Sequence, residues 1–240
     1  MTSKIQRKMS SELIEISAAD GGTFDAYLSL PTHTPAPGII MLHEIFGVTG
    51  WIKDTADMFA ERGFCVLAPE MFWRLQPNFT ADFAVPEERE QGLRHKAELN
   101  HELAVSDIDI AIDHLKALPE CSGKVGVTGF CTGGTMAYLA ATRLNPDAAA
   151  IFYGTQIHEY LDEASNISCP AIFHMGTQDD HVPSDLATKL EAALGGISHA
   201  KIHTYEAGHA FAHIERDDHY VEEAALKAHS LTFELFDQLK

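Results

Sequence analysis

Cys131 lies in a short glycine-rich turn whose pattern is typical of a catalytic nucleophile. The stretch Gly129–Gly134 follows an apolar run, Lys124–Thr128, and precedes a segment with helical character. A Gly-x-nucleophile-x-Gly turn between a strand and a helix exposes the nucleophile at the end of the strand. Its glycines leave room for neighbouring backbone. We therefore predict that Cys131 is the nucleophile and that the backbone N–H of Thr132 donates to an oxyanion.

Two later turns offer the base and the acid that such a nucleophile needs. Asp179 and Asp180 follow the apolar run 171–175, and His209 follows the run 201–205. In folds with this kind of turn, the acid and the histidine come after the nucleophile in that order. His209 would accept the thiol proton, and a carboxylate would hold its imidazole in the required tautomer. Spacing alone does not separate Asp179 from Asp180.

The elements that must position these residues are short apolar strands that alternate with helical stretches. An antiparallel hairpin is predicted at Leu13–Ser17 and Thr23–Leu30, followed by strands at 38–42, 64–68, 124–128, 149–153, 171–175 and 201–205. Helices are predicted at 52–62, 87–117, 133–144, 183–194 and 218–239. This alternation is typical of an α/β protein with a mostly parallel central sheet and helices on both faces.

The rest of the chain is less regular but gives no sign of a domain boundary. The segment Trp73–Pro86 is predicted as a surface excursion, and a loop of this kind can contribute to a substrate pocket. No repeat, low-complexity tract or linker divides the sequence. We therefore predict a single domain over residues 1–240.

Composition excludes several classes of protein. There are 17 Lys and Arg against 35 Asp and Glu, and the net charge of −18 argues against a nucleic-acid partner. The longest apolar run, residues 148–153, is far shorter than the roughly 18–20 residues that cross a membrane. Residues 1–10 lack the apolar core of a secretion signal, so a cytoplasmic location is expected. We expect a monomer or a small homo-oligomer that acts on a small molecule.

Five motifs in the correct order give the sequence a specific resemblance. They are Glu44–Gly47, Gly129–Gly134, Phe173–Gly176 with Gln178–Asp179, Val182–Pro183, and Gly208–Ala212. Together they resemble the dienelactone hydrolases, or carboxymethylenebutenolidases, which are α/β-hydrolases with a Cys-His-Asp triad. The match runs from about Gly22 to the last residue. The resemblance implies the α/β-hydrolase fold and favours Asp179 over Asp180 as the acid.

The resemblance also implies roles for residues outside the triad. Glu44 matches a glutamate that holds the resting thiol and takes up its proton when substrate binds. Ile45 matches the second backbone donor to the oxyanion, beside that of Thr132. Arg89 matches an arginine that binds the substrate carboxylate, and Tyr153 matches an aromatic residue of the family.

One position departs from the family pattern. His213 stands where the family has a second carboxylate-binding arginine. Histidine is a shorter donor and is only partly charged near neutral pH, so weaker anion binding or a different substrate is expected. Arg216 is close enough in sequence to compensate. The reaction type is therefore better defined than the substrate.

The implied reaction is hydrolysis of a lactone or an ester through a thioester, with dienelactone opened to maleylacetate. The alternative within hydrolases is a broader carboxylesterase or thioesterase on the same fold. A dinucleotide-binding oxidoreductase, with 126–134 as its phosphate loop, is disfavoured because the spacing is not G-x-G-x-x-G. Metal binding through His209 with His213, or through Asp179, Asp180 and His181, is weakly indicated. We expect no metal and no cofactor.

Overall fold

The computed structural model describes residues 5–6 and 10–240 and contains two compact units. The first comprises the described residues up to Gly126 together with Lys240, and the second comprises Val127–Leu239. Most of the basic N-terminal segment used to exclude a secretion signal lies outside the described residues. The single domain over residues 1–240 stays a prediction.

The first unit combines β-strands with three helices. Its strands are β1 (Ile5–Gln6), β2 (Ser10–Ser17), β3 (Thr23–Leu30), β4 (His33–Thr34), β5 (Ala36–Leu42) and β6 (Cys65–Pro69), and its helices are α1 (Gly50–Glu61), α2 (Pro86–Glu98) and α3 (His101–Ala117). Strands β5 and β6 are parallel, whereas β3 pairs antiparallel with both β6 and β2. β5 and β6 are buried along their whole length, as is typical of parallel strands covered on both faces. The predicted N-terminal hairpin is confirmed as β2 and β3.

Strand β7 (Cys121–Phe130) begins in the first unit and ends in the second unit. The other elements of the second unit are α4 (Thr132–Arg143), β8 (Ala148–Phe152), β9 (Ala171–Gly176), α5 (Leu186–Leu194), β10 (Ala200–Tyr205) and α6 (Glu222–Phe236). β8, β9 and β10 are parallel neighbours, with Phe152 opposite His174 and Gly176 opposite Tyr205. Because this register aligns their carboxyl ends, the loops that follow the three strands emerge at one edge. The predicted α/β class with a mostly parallel sheet is confirmed.

One predicted helix is in fact two. The expected helix over 87–117 is interrupted after Glu98, and α3 begins at His101. The side chain of Asn100 accepts a hydrogen bond from the Leu103 N–H at 3.1 Å and so caps the new helix. Asn is among the preferred N-cap residues because its side chain satisfies an otherwise unpaired N–H. The last helix is also shorter than predicted, since α6 ends at Phe236 and a 3₁₀ turn follows.

The segment Trp73–Pro86 is irregular, as predicted, but it is firmly attached to the first unit. The indole Nε1 of Trp73 donates to Asp107 Oδ2 on α3 at 2.9 Å. The Ala81 N–H donates to the Phe46 carbonyl, in the turn after β5, at 3.0 Å. The excursion is therefore hydrogen-bonded to that turn, while its part in a substrate pocket stays a prediction.

Among the described helices, none has the length and apolar character required to cross a bilayer.

Candidate active site

Cys131 occupies the strained turn expected of a nucleophile. It lies between β7 and α4 with φ 57° and ψ −115°, a conformation that residues with a side chain rarely adopt. Its N–H donates to the Phe152 carbonyl at the end of β8 at 3.1 Å. The residue is 6% exposed, so the thiol is largely buried rather than fully displayed. Thr132 is the first residue of α4, where N–H groups lack intrahelical acceptors and the helix dipole is positive.

A close approach of two backbones requires glycine at position 134. A Cβ atom on Gly134 would lie 2.3 Å from the Phe152 carbonyl oxygen and 3.1 Å from Cα of Gly154. The first turn of α4 therefore packs directly on the chain that leaves β8. This contact and the hydrogen bond from the Cys131 N–H both hold the turn against the end of β8.

The structure pairs His209 with Asp179 and not with Asp180. His209 Nδ1–H donates to Asp179 Oδ2 at 2.8 Å, and both side chains are almost fully buried. The second oxygen of Asp179 accepts the backbone N–H of His181 at 2.9 Å. Asp180, by contrast, has a side chain 89% exposed. Geometry thus separates two carboxylates that spacing in the sequence could not.

The loops that carry Asp179 and His209 are joined by main-chain contacts. The Gln178 N–H, one residue before Asp179, donates to the carbonyl of Ala207, two residues before His209, at 3.0 Å. A Cβ on Gly176 would lie 2.4 Å from the same carbonyl oxygen, so the approach is possible only for glycine. The acid and the histidine are consequently positioned by backbone rather than by flexible side chains.

The surroundings of His209 favour its protonated form. Burial lowers the pKa of the imidazole, but the negative charges of Cys131 and Asp179 and the hydrogen bonds to them together raise that pKa to about 10. Nε2 is buried, and among the described residues no hydrogen bond of normal geometry reaches it. Once the thiol has lost its proton, the negative charge on Cys131 therefore favours retention of that proton on Nε2, the nitrogen opposite the Asp179 contact.

Two aromatic rings hold the imidazole of His209. The ring of His181 stacks on it with centroids 4.3 Å apart and an interplanar angle of 15°. The ring of Tyr153 meets it edge to face at 5.1 Å, and Tyr153 itself is 1% exposed. Its backbone has a positive φ of 39° at the end of β8. Tyr153 thus packs against the predicted base, and contact with substrate stays a prediction.

His213 differs from the expectation of a partly charged donor. It is 2% exposed, and burial, with the nearby Arg216 cation, lowers the pKa of its imidazole to about 3. The side chain is therefore neutral near neutral pH. Arg216 is also buried, and its Nη2 donates to His219 Nε2 at 2.9 Å. Of these two residues, Arg216 and not His213 carries a positive charge near neutral pH.

The remaining predicted residues belong to the first unit. Glu44 and Ile45 are buried in the turn after β5, while Arg89 is exposed on α2. A Cβ on Gly92 would lie 2.3 Å from the Ile45 carbonyl oxygen, so α2 packs directly on this turn. Arg89 precedes Gly92 by three residues and shares its side of the helix. The roles of Glu44, Ile45 and Arg89 stay predictions.

His43, which no sequence motif singled out, fixes the same turn through two hydrogen bonds. Its Nδ1–H donates to the Glu44 carbonyl at 2.6 Å, and its Nε2 accepts the Met71 N–H at 2.9 Å. Burial lowers the pKa of this imidazole to about 4, so it is neutral and holds one tautomer. Direct adjacency to Glu44 was the only available signal.

One cluster of possible metal ligands, which overlaps the two sets named from the sequence, is poorly arranged for a metal ion. Ligand atoms of Asp179, His181 and His209 lie within 4.8 Å of one another. However, the two imidazoles are nearly parallel, so their in-plane lone pairs do not converge on one point, and Asp179 is already bonded to His209. The arrangement suits proton transfer better than metal coordination.

Comparisons with known proteins identify relatives of this chain. The family model described as "Dienelactone hydrolase family" matches residues 24–240. Carboxymethylenebutenolidase 1 of Cupriavidus pinatubonensis is 36% identical over 232 residues, which cover 97% of this chain and 99% of that protein. The carboxymethylenebutenolidase of Pseudomonas putida is 33% identical over 219 residues, covering 91% and 93%.

A solved structure supports the same relationship. A Klebsiella pneumoniae protein assigned provisionally to the dienelactone hydrolases superposes with a TM-score of 0.85 at 26% identity, covering 97% of this chain and all of that one. The predicted α/β-hydrolase fold and the prediction of a hydrolase acting on esters or lactones are confirmed by these matches. The chain belongs to the dienelactone hydrolase family.

Proposed function

We propose that this chain hydrolyses a lactone or an ester through a Cys131–His209–Asp179 triad and a thioester intermediate. The observation that carries the proposal is the buried hydrogen bond between His209 Nδ1 and Asp179 Oδ2, in the same unit as the strained turn of Cys131. Nucleophile, orienting acid and base follow one another along the chain in the order that this fold uses. The carboxymethylenebutenolidase names of the relatives favour dienelactone as the substrate.

The proposed reaction has two stages. His209 Nε2 accepts the Cys131 proton, and the thiolate attacks the carbonyl carbon to give a tetrahedral oxyanion. The N–H of Thr132, at the positive end of α4, stabilises that oxyanion. Its collapse breaks the ring C–O bond and leaves an enolate, which takes up the proton held on His209 Nε2 and so returns His209 to its neutral form. Water activated by His209 then hydrolyses the thioester and regenerates the thiol, so that dienelactone yields maleylacetate.

Three residues of the first unit enter the proposal through the resemblance. Glu44 would hold the resting thiol and offer an alternative acceptor to His209 for its proton when substrate binds, and Ile45 would supply the second N–H to the oxyanion. The packing of Gly92 on the Ile45 carbonyl and the hydrogen bond from His43 support a rigid turn suited to that donor. Arg89 would bind a substrate carboxylate, a task for which its guanidinium is well suited.

A broader carboxylesterase or thioesterase is the second candidate, and one observation favours it. His213 replaces the family's second arginine and is neutral. A site with one cation fewer loses part of its preference for acidic lactones over neutral esters. The two candidates share the triad and differ only in substrate.

The variants Cys131→Ala and His209→Ala test the proposal. Each should lower kcat/KM for dienelactone by at least about a thousandfold, because the residues act as a unit. Circular dichroism checks that both variants remain folded. Turnover of Cys131→Ala at the wild-type rate would exclude the mechanism.

The substrate is tested by a variant of Arg89 with a control on the same helix. Arg89→Ala should raise KM for cis- and trans-dienelactone about tenfold or more and leave KM for neutral aryl esters nearly unchanged. Arg94→Ala removes an exposed arginine that pairs with Glu90 at 3.6 Å and should change neither value. Steady-state kinetics give KM of each variant for the acidic lactones and for the neutral esters. An equal effect of Arg89→Ala on both would remove its carboxylate role and favour the broader esterase.

A further inference from the structure

His181 covers one face of the predicted base without belonging to the triad. Its ring lies 4.3 Å from that of His209 with only 15° between the two planes. Its Nδ1 is hydrogen-bonded to Asp180 Oδ1 at 2.8 Å, so the ring has an anchor of its own. The side chain is 34% exposed, so its position is not simply a consequence of core packing.

The backbone of His181 contributes separately from its ring. Its N–H donates to Asp179 Oδ1, while His209 donates to Asp179 Oδ2. Any residue other than proline would preserve the N–H contact. The effect of the ring can therefore be isolated by substitution at position 181.

Charge explains why a ring at this position matters. Proton transfer from Cys131 makes His209 an imidazolium, and a neutral aromatic face in contact with a cation stabilises it. Burial and the His209 charge lower the pKa of His181, against opposing effects of Asp180 and Asp179, and these are the charged groups that face it. The ring therefore remains neutral beside the imidazolium. A protonated His181 would place two cations within stacking distance.

We propose that His181 is a positioning residue for the hydrolytic reaction: its stacked ring fixes the orientation of the His209 imidazole and stabilises the imidazolium that forms during thiol deprotonation. This inference rests on the proposed function, because it requires His209 to act as the base for Cys131. His181 itself does not touch the reacting atoms.

Two variants separate stacking from a structural role. His181→Ala removes the ring and should lower kcat about tenfold with KM changed less than twofold. His181→Phe keeps an aromatic face and should restore at least half of the wild-type kcat. Thermal unfolding of the three proteins confirms that the comparison is between folded forms. Wild-type kcat in His181→Ala, or equal losses in Ala and Phe, would overturn the proposal.

The rate of Cys131 alkylation by iodoacetamide gives a readout that a structural role would not move. Alkylation requires the thiolate, whose proton resides on His209. His181→Ala should slow alkylation at pH 7, whereas His181→Phe should retain it. Because Phe cannot become a second cation, the acid limb of its alkylation profile should lie at lower pH than that of the wild type. An unchanged limb in His181→Phe would contradict the role of His181 charge.

Failure of this inference is distinguishable from failure of the proposed function. If Cys131→Ala retains turnover, the triad mechanism is wrong and His181 has no base to position. If Cys131→Ala and His209→Ala are inactive while His181→Ala has wild-type kcat and alkylation rate, the triad stands and only the role of His181 is excluded.

Discussion

At the residue scale, two adjacent carboxylates have different environments. Asp179 is buried and accepts hydrogen bonds from both His209 and the His181 N–H. Asp180 is exposed and contacts only the imidazole of His181 among the described residues. No pattern in the sequence distinguishes them, because consecutive residues have the same relation to the preceding strand. The family resemblance favoured Asp179, and the hydrogen bonds supply a physical reason.

This contrast predicts unequal effects of the same substitution. Asp179→Asn should lower kcat on the order of a thousandfold, because an amide cannot hold the His209 tautomer or stabilise its imidazolium. Asp180→Asn should keep kcat within about threefold, since an exposed pair contributes little. Steady-state kinetics on one ester substrate measure both. A greater loss in Asp180→Asn would mean that the wrong carboxylate has been assigned.

At the element scale, the order of strands and helices was predictable, and several boundaries were not. Buried strands such as β5 and β9 are recognisable because they form short apolar runs between turn residues. The division of 87–117 into two helices depends on the cap at Asn100, which interrupts a continuing helical pattern. The glycine turn at Cys131 was predictable because its strained conformation restricts the residues around it. The ring stacking of His181 and the hydrogen bonds of His43 are tertiary contacts, which hydrophobic periodicity in the sequence does not predict.

The packing of α4 on the end of β8 gives a prediction for one glycine. Gly134→Ala places a methyl group against the Phe152 carbonyl and should lower the free energy of unfolding by about 1–3 kcal/mol. It should also reduce kcat, because α4 begins at Thr132 and Cys131 directly precedes it. Denaturant unfolding and kinetics measure the two effects.

Gly50→Ala is the matched control for this substitution. Gly50 is the first residue of α1, and a Cβ there would have no atom within 4 Å. The variant should have unchanged activity and a free energy of unfolding equal to that of the wild type or higher by up to about 1 kcal/mol. If Gly134→Ala behaved in the same way, the close backbone contact would not constrain the turn.

At the scale of the whole molecule, buried neutral histidines link stability to pH. Burial lowers the pKa of His43 and of His229 to about 4 each, and lowers that of His174 well below its usual value. Between about pH 6.5 and 4 the unfolded chain binds these protons and the folded chain does not. Stability is therefore fully present above pH 6.5 and is lost as the pH falls. Glu70 opposes this trend, because burial raises the pKa of its carboxyl.

We therefore expect the free energy of unfolding in urea to fall between pH 7.5 and pH 5. Replacing one buried histidine, as in His229→Phe, should make this dependence shallower by up to about 2 kcal/mol over the interval. His33→Gln, at an exposed position, should leave it unchanged. Equal pH dependence in all three proteins would show that the buried histidines do not control acid stability.

Identification of the residue that is acylated during turnover is the decisive test of Cys131 as the nucleophile. Rapid quenching in acid with a slow aryl ester, followed by trypsin digestion and mass spectrometry, identifies the peptide that carries the acyl group. An acyl adduct is expected on the peptide Val125–Arg143, which contains Cys131, and none is expected in the Cys131→Ala protein. An adduct on another residue, or wild-type turnover by Cys131→Ala, would contradict this role of Cys131.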